Sequence, residues 1–302
     1  MREKLVIFGK YFLTLLNIIA AVASIFGLIY AIQSQIPIWT YIFSISAAIC
    51  ILSIIAVIGV HLSIKNDRIS LGKVYSKCFH ELLHDIRNYL EEDDYICKNQ
   101  IYSNAFEYKK KVTEISIALM NKLSARLTEA FGIDIRACVK LFGFIDANYE
   151  KSMLMTLARN ETDLNNMLRE QYKKIKVCEN TDFEKIFQST KDSDENAAFF
   201  FQEDLIKYSK KNEYKNSTKD WQKRYKTTIV MPIRYLRIDI KDIEEPSYDL
   251  LGFLCVDSKN TKAFSSGYTT FIIELLKGIA DILYHYYDGC TTYYEYLQTK
   301  GD

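Results

Sequence analysis

Residues 80–84 read His80-Glu81-Leu82-Leu83-His84, an H-E-x-x-H string with two histidines one helical turn apart. On a helix, positions i and i+4 share a face, so both imidazoles can hold a zinc ion while Glu81 takes a proton from a metal-bound water. A catalytic zinc needs a third protein ligand. Glu91, Glu92, Asp93 and Asp94 lie at the same helix end, Glu107 and Glu114 require a close hairpin, and His61 and His285 are the only other histidines. The competing reading sets His80 and His84 on the polar or subunit-facing side of a helix, with Lys77/Glu81 and Arg87/Glu91 as surface ion pairs four residues apart.

A second constellation lies in a polar region, residues 160–226. Phe199, Phe200, Phe201 and Trp221 can stack on a planar ligand, with Arg224 or Arg234 facing an anionic group. The competing use of those rings is to pack under a loop. The seven cysteines are scattered, odd in number and never spaced as C-x-x-C, which indicates reduced thiols in a reducing compartment. Cys255, on an apolar strand, reads as a small core residue. A net charge of +1 gives no global reason to expect nucleic acid as a partner. There is no Gly-rich phosphate loop and no G-x-S-x-G, kinase, cyclase and helix-turn-helix modules are not apparent, and no cofactor is expected.

The elements that must position these residues begin with two uncharged stretches, residues 11–32 and 41–60, each close to the ~20 residues needed to cross a hydrocarbon core. Arg2, Lys4 and Lys10 precede the first, Lys65 and Arg68 follow the second, and the turn holding Pro37 and Trp39 has no cation, so both ends are expected in the cytoplasm. A cleaved leader ending at Ala21-Val22-Ala23 is the rival reading, but the apolar run continues to Ile32. Neither stretch carries an Asp, Glu, Lys, Arg or His, which argues against a transporter or ordinary channel. Leu71, Val74, Cys78, Leu82, Ile86 and Tyr89 then recur at helical steps, and Val112 to Phe131 repeats the pattern up to Gly132. These two helices are candidates for pairing between subunits.

Ile133 to Phe142 alternates as a strand, with Ser152 to Ala158 as its hairpin partner. Helical patches are expected at residues 164–175 and 183–187. Thr227 to Leu236 and Leu250 to Asp257 form a second hairpin, and a final helix spans Tyr268 to Tyr287.

The order helix, hairpin, long variable region, hairpin, helix resembles the GAF domain. Met231-Pro232-Ile233, Gly252-Phe253-Leu254, Phe264 and the last helix match that family's closing strands and helix. The resemblance implies a twisted antiparallel sheet backed by the first and last helices, with a small molecule bound on the opposite face under residues 160–226. Phe199, Phe200, Phe201, Asp204, Trp221, Arg224 and Arg234 are then the expected ligand residues. The chain departs from the cyclic-nucleotide pattern, because Phe200 and Asp204 are followed by Leu205 instead of a second acid.

The expected protein is α+β: a transmembrane hairpin (1–66), a linker helix (67–104), a GAF-like sensory domain (105–290) and a tail (291–302). It is expected in the inner (plasma) membrane as a two-pass, non-enzymatic sensor or effector. Its expected partners are the lipid bilayer, further copies of itself and a small molecule, a cyclic nucleotide among the options. The architecture resembles bacterial immune effectors built from two membrane helices and a nucleotide-sensing domain. A membrane-bound zinc protease using His80, Glu81 and His84, or a scaffold that only dimerises, are the alternatives.

Overall fold

The computed structural model describes residues 104–144, 151–191, 199–237, 247–264 and 269–300 continuously, with scattered residues between 25 and 102. The chain divides into two units, Met1–Val74 and Tyr75–Asp302. In the first, the described residues from Ile25 to Leu62 are helical, and Ile55, Val57, Ile58 and Val60 expose their side chains. Most of the first predicted span and half of the second lie outside the described residues. Among the described residues no helix is long and apolar enough to cross a membrane.

The second unit is built on a six-stranded antiparallel sheet. Its strands are β1 (Ile135–Phe144), β2 (Met153–Arg159), β3 (Ile175–Lys176), β4 (Phe200–Gln202), β5 (Thr227–Arg237) and β6 (Ser247–Ser258), in the order β3-β2-β1-β6-β5-β4. The two predicted hairpins are present, and β1 and β6 join them at the centre. That junction requires Gly252. A Cβ there would lie 2.1 Å from the Lys140 carbonyl oxygen, so only glycine lets the strands come this close.

One face of the sheet carries helix α1 (Ala105–Phe131) and the last helix, α5 (Thr269–Lys300). Asn104 caps α1 by accepting from the Phe106 N–H at 2.7 Å, and Gly132 ends it in a left-handed turn, φ 65°, donating to the Thr128 carbonyl at 2.8 Å. Leu119, Leu123 and Leu127 are buried on this side with Leu276, Ile279 and Leu283. Tyr287 donates to Ser116 at 3.0 Å across the two helices. The last helix does not stop at the expected Tyr287. Helix α5 continues through the predicted tail, because Tyr293 packs edge-on against Tyr108 at 4.7 Å and Leu297 is buried beyond it. Gly289 inside a helix costs only about 1 kcal/mol against alanine.

The opposite face is covered by the variable region. There it uses α3 (Thr181–Lys191) and α4 (Leu205–Lys210), whereas its first helix, α2 (Leu164–Glu170), packs against α1 instead. The helical patch expected at 164–175 stops at Glu170, and its end is pinned by Gln171, whose Nε2 donates to Thr113 Oγ1 at 2.9 Å and to the Leu157 carbonyl at 3.1 Å. From α3, Phe183, Ile186 and Phe187 enter a core with Leu154, Phe253, Tyr214 and Trp221.

Candidate functional site

Between the variable region and the sheet lies a cavity of about 80 Å³. Its floor follows from strand alternation, since residues two apart on a strand point to the same face. Arg136, Cys138 and Lys140 of β1 line it; Arg159 of β2 is paired with Cys138; Cys255 and Asp257 of β6 are paired with Cys138 and Arg136; Val230 and Thr228 of β5 are paired with Cys255 and Asp257. Two rows therefore cross the sheet, Arg159-Cys138-Cys255-Val230 and Arg136-Asp257-Thr228. The roof is Asn180, Asp182 and Phe183 at the start of α3, with Asn216, Thr218, Arg224 and Tyr225 from the segment before β5.

The roof is held by its own hydrogen bonds. Asn180 accepts from the Ser217 N–H at 3.1 Å, and Asn216 donates to the hydroxyls of Tyr225 at 2.6 Å and Tyr214 at 3.1 Å. Tyr214 donates to Asp182 at 3.3 Å, and the Phe183 N–H donates to the same carboxylate at 3.0 Å. On the floor, Lys140 donates to Thr156 at 2.8 Å and Thr228 donates to Asp257. Arg136 is different. Its Nε and Nη2 are buried and have no hydrogen-bond partner among the described residues. Such donors bear a desolvation cost of about 1–3 kcal/mol, more for a charged group, until an acceptor meets them.

Burial sets the titration of the acids. Removal from water pushes Asp182 up to about 6, against the Phe183 and Tyr214 hydrogen bonds. The same effect, reinforced by the Cys138 thiolate, pushes Asp257 up to about 7, and neither the Thr228 hydrogen bond nor nearby Arg136 offsets it. Cys138 moves the other way. A hydrogen bond from Cys255 holds its thiol well below the usual range, helped by Lys140 and Arg159. Near neutral pH, Arg136, Lys140, Arg159 and Arg224 line the cavity against Asp182, a Cys138 thiolate and an Asp257 that still holds its proton about half the time, so cations outnumber anions and the site favours an added anion.

Of the predicted ligand residues, only Arg224 lines this cavity. Phe200 and Trp221 are buried in the roof core, where Tyr214 meets Trp221 edge-on at 5.0 Å. Phe199 lies under the Lys277 ammonium, 5.6 Å from the ring centroid, and Phe201 sits in the edge strand paired with Ile229. Asp204 caps α4, accepting from the Lys207 N–H at 2.9 Å. Arg234 has Asp281 of α5 as its charged neighbour. The aromatic run therefore does not form the stacking platform expected of it. Bulky rings close together in a sequence pack more favourably into a roof than around a small polar space. Cys255 is buried as expected, and it also lines the cavity.

Sequence reasoning passed over Arg136, Cys138, Lys140, Arg159, Asp182 and Asp257. The first three form the polar half of the alternating strand read as having one buried face. A detectable signal was present: polar residues at alternate positions of a strand that the topology places at the centre of a sheet.

The H-E-x-x-H string lies elsewhere, on a helix whose described residues extend from Gly72 to Ile96. His84 Nε2 stands 3.1 Å from His80 Nε2, and Arg87 donates to His84 Nδ1 at 2.8 Å. With Nδ1 accepting from Arg87, the Nε2 of His84 is the nitrogen left to donate to His80. Glu81 pairs with Arg126 of α1 and with Lys77 at 3.8 Å. Asp85 pairs with Lys122 at 2.6 Å and Glu92 with Lys111 at 2.7 Å, so this helix runs antiparallel along α1 of its own chain. The expected Arg87–Glu91 pair is present at 3.8 Å. Among the described residues no third His, Cys, Asp or Glu joins the pair in a metal-binding group.

No protein-family model and no curated protein matches the sequence. Among solved structures, the chain is similar to the GAF domain of an Acinetobacter phosphoenolpyruvate-protein phosphotransferase, at 13% identity over 69% of this chain and 96% of that one, TM-score 0.34. It is also similar to the corresponding GAF domain from Coxiella burnetii, at 16% identity over 68% and 95%, TM-score 0.33. A third similar structure is fRMsr of Staphylococcus aureus in complex with substrate, at 14% identity over 60% and 94%, TM-score 0.31.

Proposed function

We propose that the second unit is a sensory domain that binds a compact anionic small molecule in the cavity between the sheet and the variable region. The observation that carries this reading is the buried, unpartnered Nε and Nη2 of Arg136, in a cavity also lined by Lys140, Arg159 and Arg224. Guanidinium donors of this kind meet carboxylates and phosphates in bidentate fashion. Size narrows the class. The cavity has room for about six waters at ~10–15 Å³ each, which suits a small carboxylate or phosphate. A cyclic nucleotide is larger and enters only if the roof around Asn216 to Tyr225 opens.

In the same reading, residues 11–32 and 41–60 anchor the chain in a membrane, supported by their uncharged composition and by exposed apolar side chains on helical residues 55–62. The helical residues around Glu81 to Glu92 are the route outward, since their acids grip α1, which backs the cavity floor. A membrane-perturbing effector is one form of such a device, with leakage of dye-loaded liposomes on ligand addition as its readout. The test of the binding reading is thermal unfolding of the full chain in detergent. The panel comprises small dicarboxylates, amino acids, inorganic phosphate, cyclic mono- and dinucleotides, and zinc. A ligand of the folded state at 100 times its Kd adds about 2.7 kcal/mol. A small anion that raises the midpoint in proportion to dose supports the proposal; a response to zinc alone transfers support to the histidine pair.

A further inference from the structure

Cys138 and Cys255 are direct partners across β1 and β6, both buried, both lining the cavity, and neither in a disulfide. Their pairing type follows from the neighbouring strand. Ala137 turns both its N–H and its carbonyl toward Asn160, so Cys138 turns its own toward β6 and forms a hydrogen-bonded pair with Cys255. Such pairs have Cα atoms about 5.5 Å apart, inside the ~4.4–6.8 Å range that a disulfide spans. As direct cross-strand partners, the two side chains project to the same face of the sheet and into the same cavity.

We propose that Cys138 and Cys255 are a redox site, a dithiol that a small hydroperoxide entering the cavity converts to a cross-strand disulfide. Cys138 reacts first, because it is the cysteine paired with Arg159 of β2 and it shares the cavity floor with Lys140, and nearby cations favour the thiolate. The Cys138 sulfur attacks one peroxide oxygen, the S–O bond forms as the O–O bond breaks, and the alcohol (water, for hydrogen peroxide) leaves with a proton. Cys255 then attacks the Cys138 sulfenic acid. The S–S bond forms, the S–O bond breaks, and hydroxide leaves as water with the Cys255 proton. Two thiols lose two electrons and the peroxide gains them. The consequence for the cavity is electrostatic: the thiolate facing Arg159 disappears, leaving that guanidinium to an incoming anion.

The test is a peptide map of the full chain in detergent after hydrogen peroxide, alkylation and trypsin. The expected result is a peptide of residues 137–140 linked to a peptide of residues 242–259, lost on reduction and absent from Cys138→Ser and Cys255→Ser. In Cys255→Ser, dimedone should label Cys138, whereas in Cys138→Ser it should leave Cys255 unlabelled. The wild-type map decides even if a variant misfolds. Recovery of both wild-type peptides as separate alkylated or sulfinic species, at a peroxide dose that oxidises half-buried Cys178, overturns the proposal, as does dimedone labelling confined to Cys255. The readout uses no ligand, so its failure and that of the anion-binding reading are separately visible.

Discussion

Toward helices α1 and α5 the sheet presents Ala137, Val139, Ile229, Met231, Leu254 and Val256, all buried; one residue along each strand, toward the variable region, it presents Arg136, Cys138, Thr228, Cys255 and Asp257. The strands are the same and so is their hydrogen bonding. The difference lies in what each side buries. The helix-backed side removes hydrocarbon from water at about 25 cal/mol per Å², whereas the cavity side withdraws charges and thiols from water and leaves Arg136 donors unmet. Stability is concentrated on one face and chemistry on the other, so substitutions one residue apart should act with opposite sign.

The largest effect belongs to the apolar side. Leu254→Ala should lower stability by about 2–5 kcal/mol in a urea titration, because Leu254 is fully buried and its removal leaves a cavity. At the seam, Gly252→Ala drives a Cβ into the Lys140 carbonyl and should cost about 1–3 kcal/mol or more, visible as a lower midpoint at unchanged slope.

On the cavity side the sign reverses. The raised pKa of Asp257 means that the folded state keeps a proton the unfolded chain releases near pH 4, so its stabilising contribution is full below pH 4 and is lost as pH rises to about 7. Asp257→Asn should therefore flatten the decline between pH 4 and 7, raising stability at pH 8 by on the order of a few kcal/mol. Arg136→Met should leave stability unchanged or raise it by about 1 kcal/mol, while abolishing any anion-dependent rise in the melting midpoint. Smallest of all, Glu81→Gln breaks the half-exposed pair with Arg126 and should cost no more than about 1 kcal/mol, a change that high salt should erase.

The apolar face was readable in the sequence because it obeys periodicity. The 3.6-residue repeat of α1, its Gly132 stop and the two hairpins follow from residue types alone; the hairpin strands appear within a few residues of their expected bounds, while α1 starts at Ala105, seven residues before Val112. The site was read less well, because its residues are brought together by register. Nothing in the local sequence places Arg159 beside Cys138, or Cys138 beside Cys255; only the pairing of β1 with both β2 and β6 does. The continuation of α5 past Gly289 was hidden for a similar reason, since its last turns rest on tertiary contacts of Tyr293 with Tyr102 and Tyr108. The Phe199 to Phe201 run misled because an aromatic cluster looks the same whether it lines a pocket or seals one.

Native mass spectrometry of the full chain, wild type beside Arg136→Met, tests the central claim most directly. The account predicts that one small carboxylate or phosphate binds the wild type with one-to-one stoichiometry, either retained from the cell or added from the panel, and that the variant binds none while remaining folded. Equal binding by both proteins, or a wild type that takes up no anion at any concentration tried, would contradict it.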